Sequence, residues 1–468
     1  MPDTPLPAST AGRSRSAAAK ILVLGLLALG LLVPVGFILA LVHEREERQQ
    51  AVEQEIATTW GAEQLLAGPV LSIPYRRPVE EENTSQTSPE RTRWVRGEAI
   101  YLPAELEIAA AVRPETRSRG IFSTVVYLAD ISLSGAFKRP DPQALGLDDA
   151  DLQWDEAKLL LTISDVHGLA RPVELEWSER TEGFEPTRRA SLPGVALATA
   201  VDGLDERPST TRLPFSVRMA VRGSGALRFT PSARSTRIEV ESPWPHPSFS
   251  GGFLPVQSAI SEQGFTASWQ VSSVARGYPQ QWLEAGNASP LEQSLLASGL
   301  GVRLAQPADA YQQTERAAKY SILFITLTFA TFLLCELTSS RRLHPIQYLL
   351  VGAALVVFYL LLLSLTEHFS FWSSYLAAAA ATVLLVAGYA RAILSSRRLA
   401  LALLVWMSVL YGYLYVLLQL EDYALLAGSL GLFTLLAAFM WLTRRLDWSH
   451  LEFRAAAAKH TGSVPSSL

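Results

Sequence analysis

The chain has 468 residues, of which 49% are hydrophobic and 18% charged, with a formal net charge of -4. It is too apolar for an ordinary soluble enzyme and too polar to lie in lipid throughout, and nothing in its charge balance forms a nucleic-acid footprint. Its single cysteine, Cys335, falls inside an apolar run, which excludes an intramolecular disulfide and a zinc site built on paired cysteines.

Residues 1–20 carry Arg13, Arg15 and Lys20 and read as a cytoplasmic tail. Residues 21–42 are almost unbroken Leu, Val, Ala, Gly, Phe and Ile, and at 1.5 Å per residue they cross a hydrocarbon core of about 30 Å. A secretory signal has a shorter apolar region, about 7 to 15 residues, and a small-residue cleavage site. No such site precedes His43, so this segment is predicted to be a retained anchor helix. Residues 43–60 are good helix formers whose mixed charges pair at i,i+4, a polar helix leaving the membrane. Residues 76–93 concentrate Pro, Glu, Ser, Thr and Gln without periodicity, the composition of a disordered loop.

The period then changes to two. Leu106, Ile108, Ala110 and Val112 alternate with other residues, as do Phe215, Val217, Met219 and Val221, and shorter runs recur at 158–164, 236–241 and 266–271. Gly, Pro, Ser and Asp clusters separate them, which predicts antiparallel strands in one large sandwich or two smaller ones within a β-rich domain over 43–319. Gly223-Ser-Gly225 reads as a hairpin turn between such strands.

Apolar blocks return at 320–337, 346–365, 371–390, 399–420 and 423–442. The linkers between them alternate in sign: Arg341-Arg342, Glu367-His368, Arg391 with Arg397-Arg398, Glu421-Asp422, and Arg444-Arg445. With basic segments retained inside, all of them fit one topology. The predicted fold is a mixed membrane protein with six transmembrane helices, one N-terminal and five C-terminal over 320–442. The sandwich-like domain is periplasmic, and both termini are cytoplasmic, the second tail being 443–468. Gly352, Gly388, Gly412, Gly428 and Gly431 within the blocks are expected to allow close helix contact.

Several stretches are more distinctive than their periods. They are Trp60-Gly with Gly68-Pro-Val-Leu-Ser-Ile-Pro-Tyr75, Ser242-Pro-Trp-Pro-His-Pro-Ser-Phe249, and Gly252-Phe-Leu-Pro255. In the membrane half they are Lys319-Tyr320, His344-Pro-Ile-Gln-Tyr-Leu-Leu-Val-Gly352, Tyr359-Leu-Leu-Leu-Leu-Ser364 with Glu367-His368, and Glu421-Asp-Tyr-Ala-Leu-Leu-Ala-Gly-Ser429. From about Trp60 to Trp448 the chain resembles the CreD family of inner-membrane, cell-envelope integrity proteins. The resemblance implies a Gram-negative inner-membrane protein, with a link in some members to a two-component system named CreBC. It implies no reaction, so no catalytic residue carries over.

Seven residues are candidates for function. Glu421 and Asp422 sit at an external turn, where a cation or proton site competes with a plainer role in starting the last helix, since carboxylates there complement its dipole. Glu336 is an ionisable group in an apolar run, and the simpler reading is a carboxylate that reaches the interface or pairs with Arg341 or Arg342. His246 lies between two prolines beside Trp244; a recognition loop or a single metal ligand competes with a rigid turn that packs Trp244 and Phe249. Glu367 and His368 form the acidic linker of another external turn. No Gly-x-Ser-x-Gly elbow, His-Glu-x-x-His or Walker loop occurs. No enzyme, cofactor, metal or nucleic-acid partner is expected. The expected partners are the lipid bilayer and an envelope component met by the β domain, and the sequence sets no oligomeric state. The alternative function is a transporter or lipid-handling protein gated by that domain, against which stands the near absence of charge at the centre of the blocks.

Overall fold

A computed structural model describes residues 12–80, 92–178, 180–187, 194–205, 208, 211–284, 291–305, 310–338, 343–394, 396–420 and 423–444. Contacts divide the chain into a helical unit, Met1–Arg48 with Ala308–Leu468, and a β unit, Gln49–Pro307. The first helix, α1 (Gly12–Trp60), is continuous through the residues expected as anchor and polar helix. Among the described residues the β unit holds, besides the end of α1, the short α-helix α2 (Glu292–Ala297). The helical unit adds α3 (Ala310–Lys319), α4 (Ser321–Thr338), α5 (Pro345–Thr366), α6 (Phe371–Leu394), α7 (Arg397–Gln419) and α8 (Ala424–Thr443).

Among the described residues, four helices are long and apolar enough to cross a membrane: α1, α5, α6 and α7. α3 and α4 meet at a 46° bend and together make at most a fifth. Among the described residues the expected count of six is therefore not reached, α8 not being one of these spans. α3 is amphipathic, burying Tyr311, Thr314, Ala317 and Ala318 while Glu315 and Lys319 stay polar, so its composition hid a helix that leads into the next block. Capping fixes helix starts. His344 Nδ1 accepts the Ile346 N–H and Gln347 Oε1 accepts the His344 N–H ahead of Pro345 at the first position of α5, and Ser396 Oγ accepts the Leu399 N–H of α7.

One face of α1 is buried at Leu24, Ala28, Leu31, Val35, Ile38 and Val42, a spacing of alternating four and three. Leu22, Leu26, Leu29, Val33 and Phe37 face outward. Of the five membrane glycines, Gly352 and Gly431 stand in close approaches. A Cβ at Gly352 would collide with Leu31 and the Phe329 ring, and one at Gly431 with Tyr413. Gly388 and Gly412 have open space instead.

The β unit is one sandwich. Its first sheet runs β13 (Pro247–Gly251), β17 (Leu300–Leu304), β11 (Ala226–Phe229), β1 (Gln64–Glu80), β5 (Lys158–Ile163), β9 (Val195–Ala200) and β8 (Glu185–Thr187), with β2 (Thr92–Tyr101) and β16 (Gln281–Glu284) branching from β1. Its second runs β14 (Gln257–Ser261), β15 (Gly264–Ser272), β12 (Ser235–Ser242), β3 (Glu105–Arg119), β4 (Phe122–Lys138), β10 (Arg212–Ser224), β6 (Glu174–Trp177) and β7 (Arg180–Gly183). The alternation in β12, exposed then buried along all of its length, puts Thr236, Ile238, Val240 and Ser242 inward and Arg237, Glu239 and Glu241 outward. A single core joins both sheets, including Leu71, Tyr127, Phe137, Leu161 and Trp269.

Three details differ from the sequence reading. Arg76 to Glu80 belong to β1, and Thr92 and Arg93 to β2, so the expected disordered loop narrows to residues outside the described ones; cross-strand pairing overrode a polar, proline-containing composition. Gly225, with φ of 68°, does not close a hairpin but carries the chain from β10 in one sheet to β11 in the other. Finally, the pairing is not wholly antiparallel, because β1 with β11 and β12 with β3 run parallel.

The middle of β1 is buried on both faces. Its outer side is covered by a second cluster that includes Val70, Ile100, Leu160, Tyr278 and Leu295. Arg276, 3% exposed, fastens this cover. Its guanidinium donates to the carbonyls of Ala233 (2.8 Å), Tyr278 (3.3 Å) and Pro279 (3.3 Å) and to Gln280 Oε1 (2.7 Å), while Gln280 donates to the carbonyls of Leu102 and Pro103. Arg276→Met is expected to strand these carbonyls and lower stability by about 3 kcal/mol, measured by thermal unfolding of the full chain in detergent.

Asp165 ties the chain leaving α1 to the turn after β5, its carboxylate accepting the Ala62 N–H (2.9 Å), the His167 N–H (3.0 Å) and a contact from His167 Nδ1 (3.0 Å). Burial works to raise its pKa, but these donors outweigh it and hold the group below the ordinary carboxylate range. A depressed folded-state pKa gives stability that is present above the unfolded value of about 3.9 and lost as pH falls through the folded value. Asp165→Asn is therefore expected to cost roughly 1 to 2 kcal/mol at pH 7, with the gap from wild type closing below about pH 4 in denaturant titrations.

Candidate functional site

Ion pairs made by α1 with the other helices stand at the two ends of its buried stripe. At one end Lys20, four residues before Leu24, pairs with Glu336 of α4 and donates to the Leu343 carbonyl at 2.7 Å. The Tyr348 hydroxyl of α5 donates to the other Glu336 oxygen at 2.9 Å, and the ammonium lies 5.5 Å from the Tyr348 ring centroid. The carboxylate thus has two donors and the ammonium two acceptors. An isolated charge so close to hydrocarbon is costly, and mutual pairing with hydrogen bonds is what makes both tolerable. The expected partner of Glu336 was Arg341 or Arg342, which lie outside the described residues. Lys20, from the start of the anchor helix, is a partner of Glu336 that the sequence reading did not weigh.

At the other end Arg45, three residues after Val42, meets Glu367 at 3.4 Å where α5 ends. His43 lies 3.6 Å from Glu315 of α3, which Lys319 also contacts at 2.9 Å. His368 is exposed, and its backbone N–H donates to the Leu365 carbonyl. Glu421 and Asp422 lie outside the described residues; α8 is described from Ala424, preceded by Tyr423.

In the β unit, Trp244 Nε1 donates to the Ala305 carbonyl at 2.9 Å, and the Ala305 N–H donates to the His246 carbonyl at 3.2 Å. Phe249 meets Phe265 and Trp269 edge-on, each at 5.8 Å. These aromatic side chains pack the turn onto the core and leave the His246 ring at the surface. Among the described residues no three His, Cys, Asp or Glu side chains gather as a metal site.

Sequence reasoning missed the outward face of the eight-stranded sheet. A groove of about 700 Å³ crosses it from β4 to β14, floored by Ala109, Ala111 and Ala259 and lined by Asp130, Ser132, Glu239, Glu241, Gln257, Thr266 and Ser268. A second hollow of about 590 Å³ continues it past Ala111, Glu241, Ala259 and Thr266 toward Arg113 and Gln263. Asp130 pairs with Arg113, whereas Glu239 and Glu241 are exposed and make no ion pair among the described residues. Alternation in β12 signalled which residues face outward, but the groove depends on small side chains from β3 and β14 coming alongside.

Truncating one member of the Lys20–Glu336 pair is expected to cost about 2 to 4 kcal/mol. Lys20→Met and Glu336→Gln should each do so, and the double variant should recover a large part of the loss. Unfolding in detergent as a double-mutant cycle measures it; additive losses would mean the two charges are not coupled.

The family model described as Inner membrane protein CreD matches residues 16–449. Among curated proteins, the Inner membrane protein CreD of Escherichia coli (strain K12) is 32% identical over 423 residues, covering 89% of this chain and 90% of that protein.

Proposed function

The chain belongs to the CreD family of inner-membrane proteins, and we propose that it supports the integrity of the cell envelope without a reaction of its own, its β unit holding an envelope component in the periplasm. The observation that carries this reading is the open groove of about 700 Å³ on the eight-stranded sheet. Its small floor, its hydroxyl and amide rim and the exposed Glu239 and Glu241, which make no ion pair among the described residues, suit docking of a polar ligand that offers cationic or hydroxyl groups.

In this reading six helices cross the membrane and both termini are cytoplasmic. The alternating linker charges support it. So does the length of α1 from Lys20 to Arg45, about 37 Å at 1.5 Å per residue, which fits a bilayer of about 40 Å with its interfaces. A lipid-handling role is the second reading, favoured by a largely apolar groove of about 420 Å³ between α6 and α7, lined by Trp372, Tyr375, Ala379, Ser408, Tyr411 and Gly412.

A gene deletion complemented with the full chain tests the first reading, scored by detergent sensitivity and β-lactam permeability. The Glu239→Lys, Glu241→Lys double variant is expected to insert at the normal level yet restore less than a tenth of the barrier, whereas Gly412→Trp restores it fully. Full rescue by the double lysine variant would remove the groove from the function, and failure of Gly412→Trp would favour lipid handling.

A further inference from the structure

We infer that two copies of this chain pair through β14, joining their eight-stranded sheets across a two-fold axis at Ser258. β14 is an outermost strand whose five residues are all exposed, and among the described residues it bonds to β15 alone. A free strand edge is a template for another strand, and natural edges are blunted with charge, proline or brevity. The other edges of this sandwich follow that rule. β7 carries Arg180 and Glu182, β8 is three residues long with Glu185 and Pro186, β16 ends in Glu284, and β13 contains Pro247. β14 reads Gln-Ser-Ala-Ile-Ser, with no charge and no proline.

It also exposes apolar side chains where an unpaired edge would carry polar ones. Ile260 is 55% exposed, Val256 just before the strand 68%, and Leu254 72%. Such a row outside the core marks an interaction surface. Charge and spacing favour a second copy as its occupant. An uncharged strand meets its own copy without like charges opposed, and Glu262, just past its end, falls across from the partner's Leu254 rather than the partner's Glu262. Val256 and Ile260 are equidistant from Ser258, so antiparallel pairing about Ser258 sets each Val256 against the partner's Ile260. The grooves of the two sheets then share one continuous face, since Gln257 and Ala259 line both the edge and the groove.

Cysteines at each position from Gln257 to Ser261, one at a time in a full-length Cys335→Ala background, test this in bacterial membranes under mild oxidation. Paired antiparallel residues lie about 5.5 Å apart between Cα atoms, within disulfide reach. Ser258→Cys is expected to give the strongest cross-link, at twice the monomer mass. Adding Ile260→Lys should lower its yield at least tenfold at unchanged expression and insertion. A maximum at another position overturns the Ser258 axis. No cross-link at any of the five, or an adduct of another mass, overturns self-pairing.

Discussion

A charge in hydrocarbon must find its opposite, and this constraint fixes how α1 sits in the helical unit. Its buried stripe from Leu24 to Val42 is bounded by Lys20, four residues before it, and Arg45, three residues after it, which meet Glu336 and Glu367. Apolar packing in lipid gives little preference for one rotation or depth of a helix, because lipid tails are as apolar as the neighbouring side chains. The ion pairs supply the missing specificity. A slide of one residue along the axis, or a turn of about 100° about it, breaks both ends together. Gly352 lets α1 come close at mid-height, where Leu31 occupies the space a Cβ would take. The candidate residues Glu336 and Glu367 are thus joined in one role, at opposite ends of one helix.

The β unit solves a different problem. Water solvates its outward faces, so specificity comes from alternation and from what must be covered. The eight-stranded sheet keeps one face wet, and that is where the groove lies. The nine-stranded sheet buries β1 on both sides, and the cover over its second face is a loop whose polar backbone needs partners. Arg276 provides them by bonding carbonyls rather than a carboxylate. A guanidinium has five donors in a fixed fork, and no other side chain could satisfy so many carbonyls from one position. One sheet thus keeps an open, grooved face, while the middle of β1 in the other is covered.

Much of the fold was legible. The strands around Leu106, Leu159, Val217, Ile238 and Trp269 follow from period two, and the membrane blocks from unbroken apolar composition. The amphipathic α3 was not legible, since a polar composition next to an apolar block reads as a linker until its face is packed. Nor were the edges of β1 and β2, where pairing in register ordered residues whose composition argued for disorder. Of the candidate residues, Glu336 was visible because charge within an apolar run is rare. Its pairing with Lys20 was invisible, because Lys20 is distant in sequence.

The sequence by itself determined the division between lipid and water, the helices and strands that each solvent demands, and the family to which the chain belongs. These depend on composition and period, which are local. Tertiary structure decided which charges meet, which sheet face becomes a groove and which strand edge stays open. Those outcomes depend on residues far apart in the chain arriving side by side, and no local pattern encodes the distance between them.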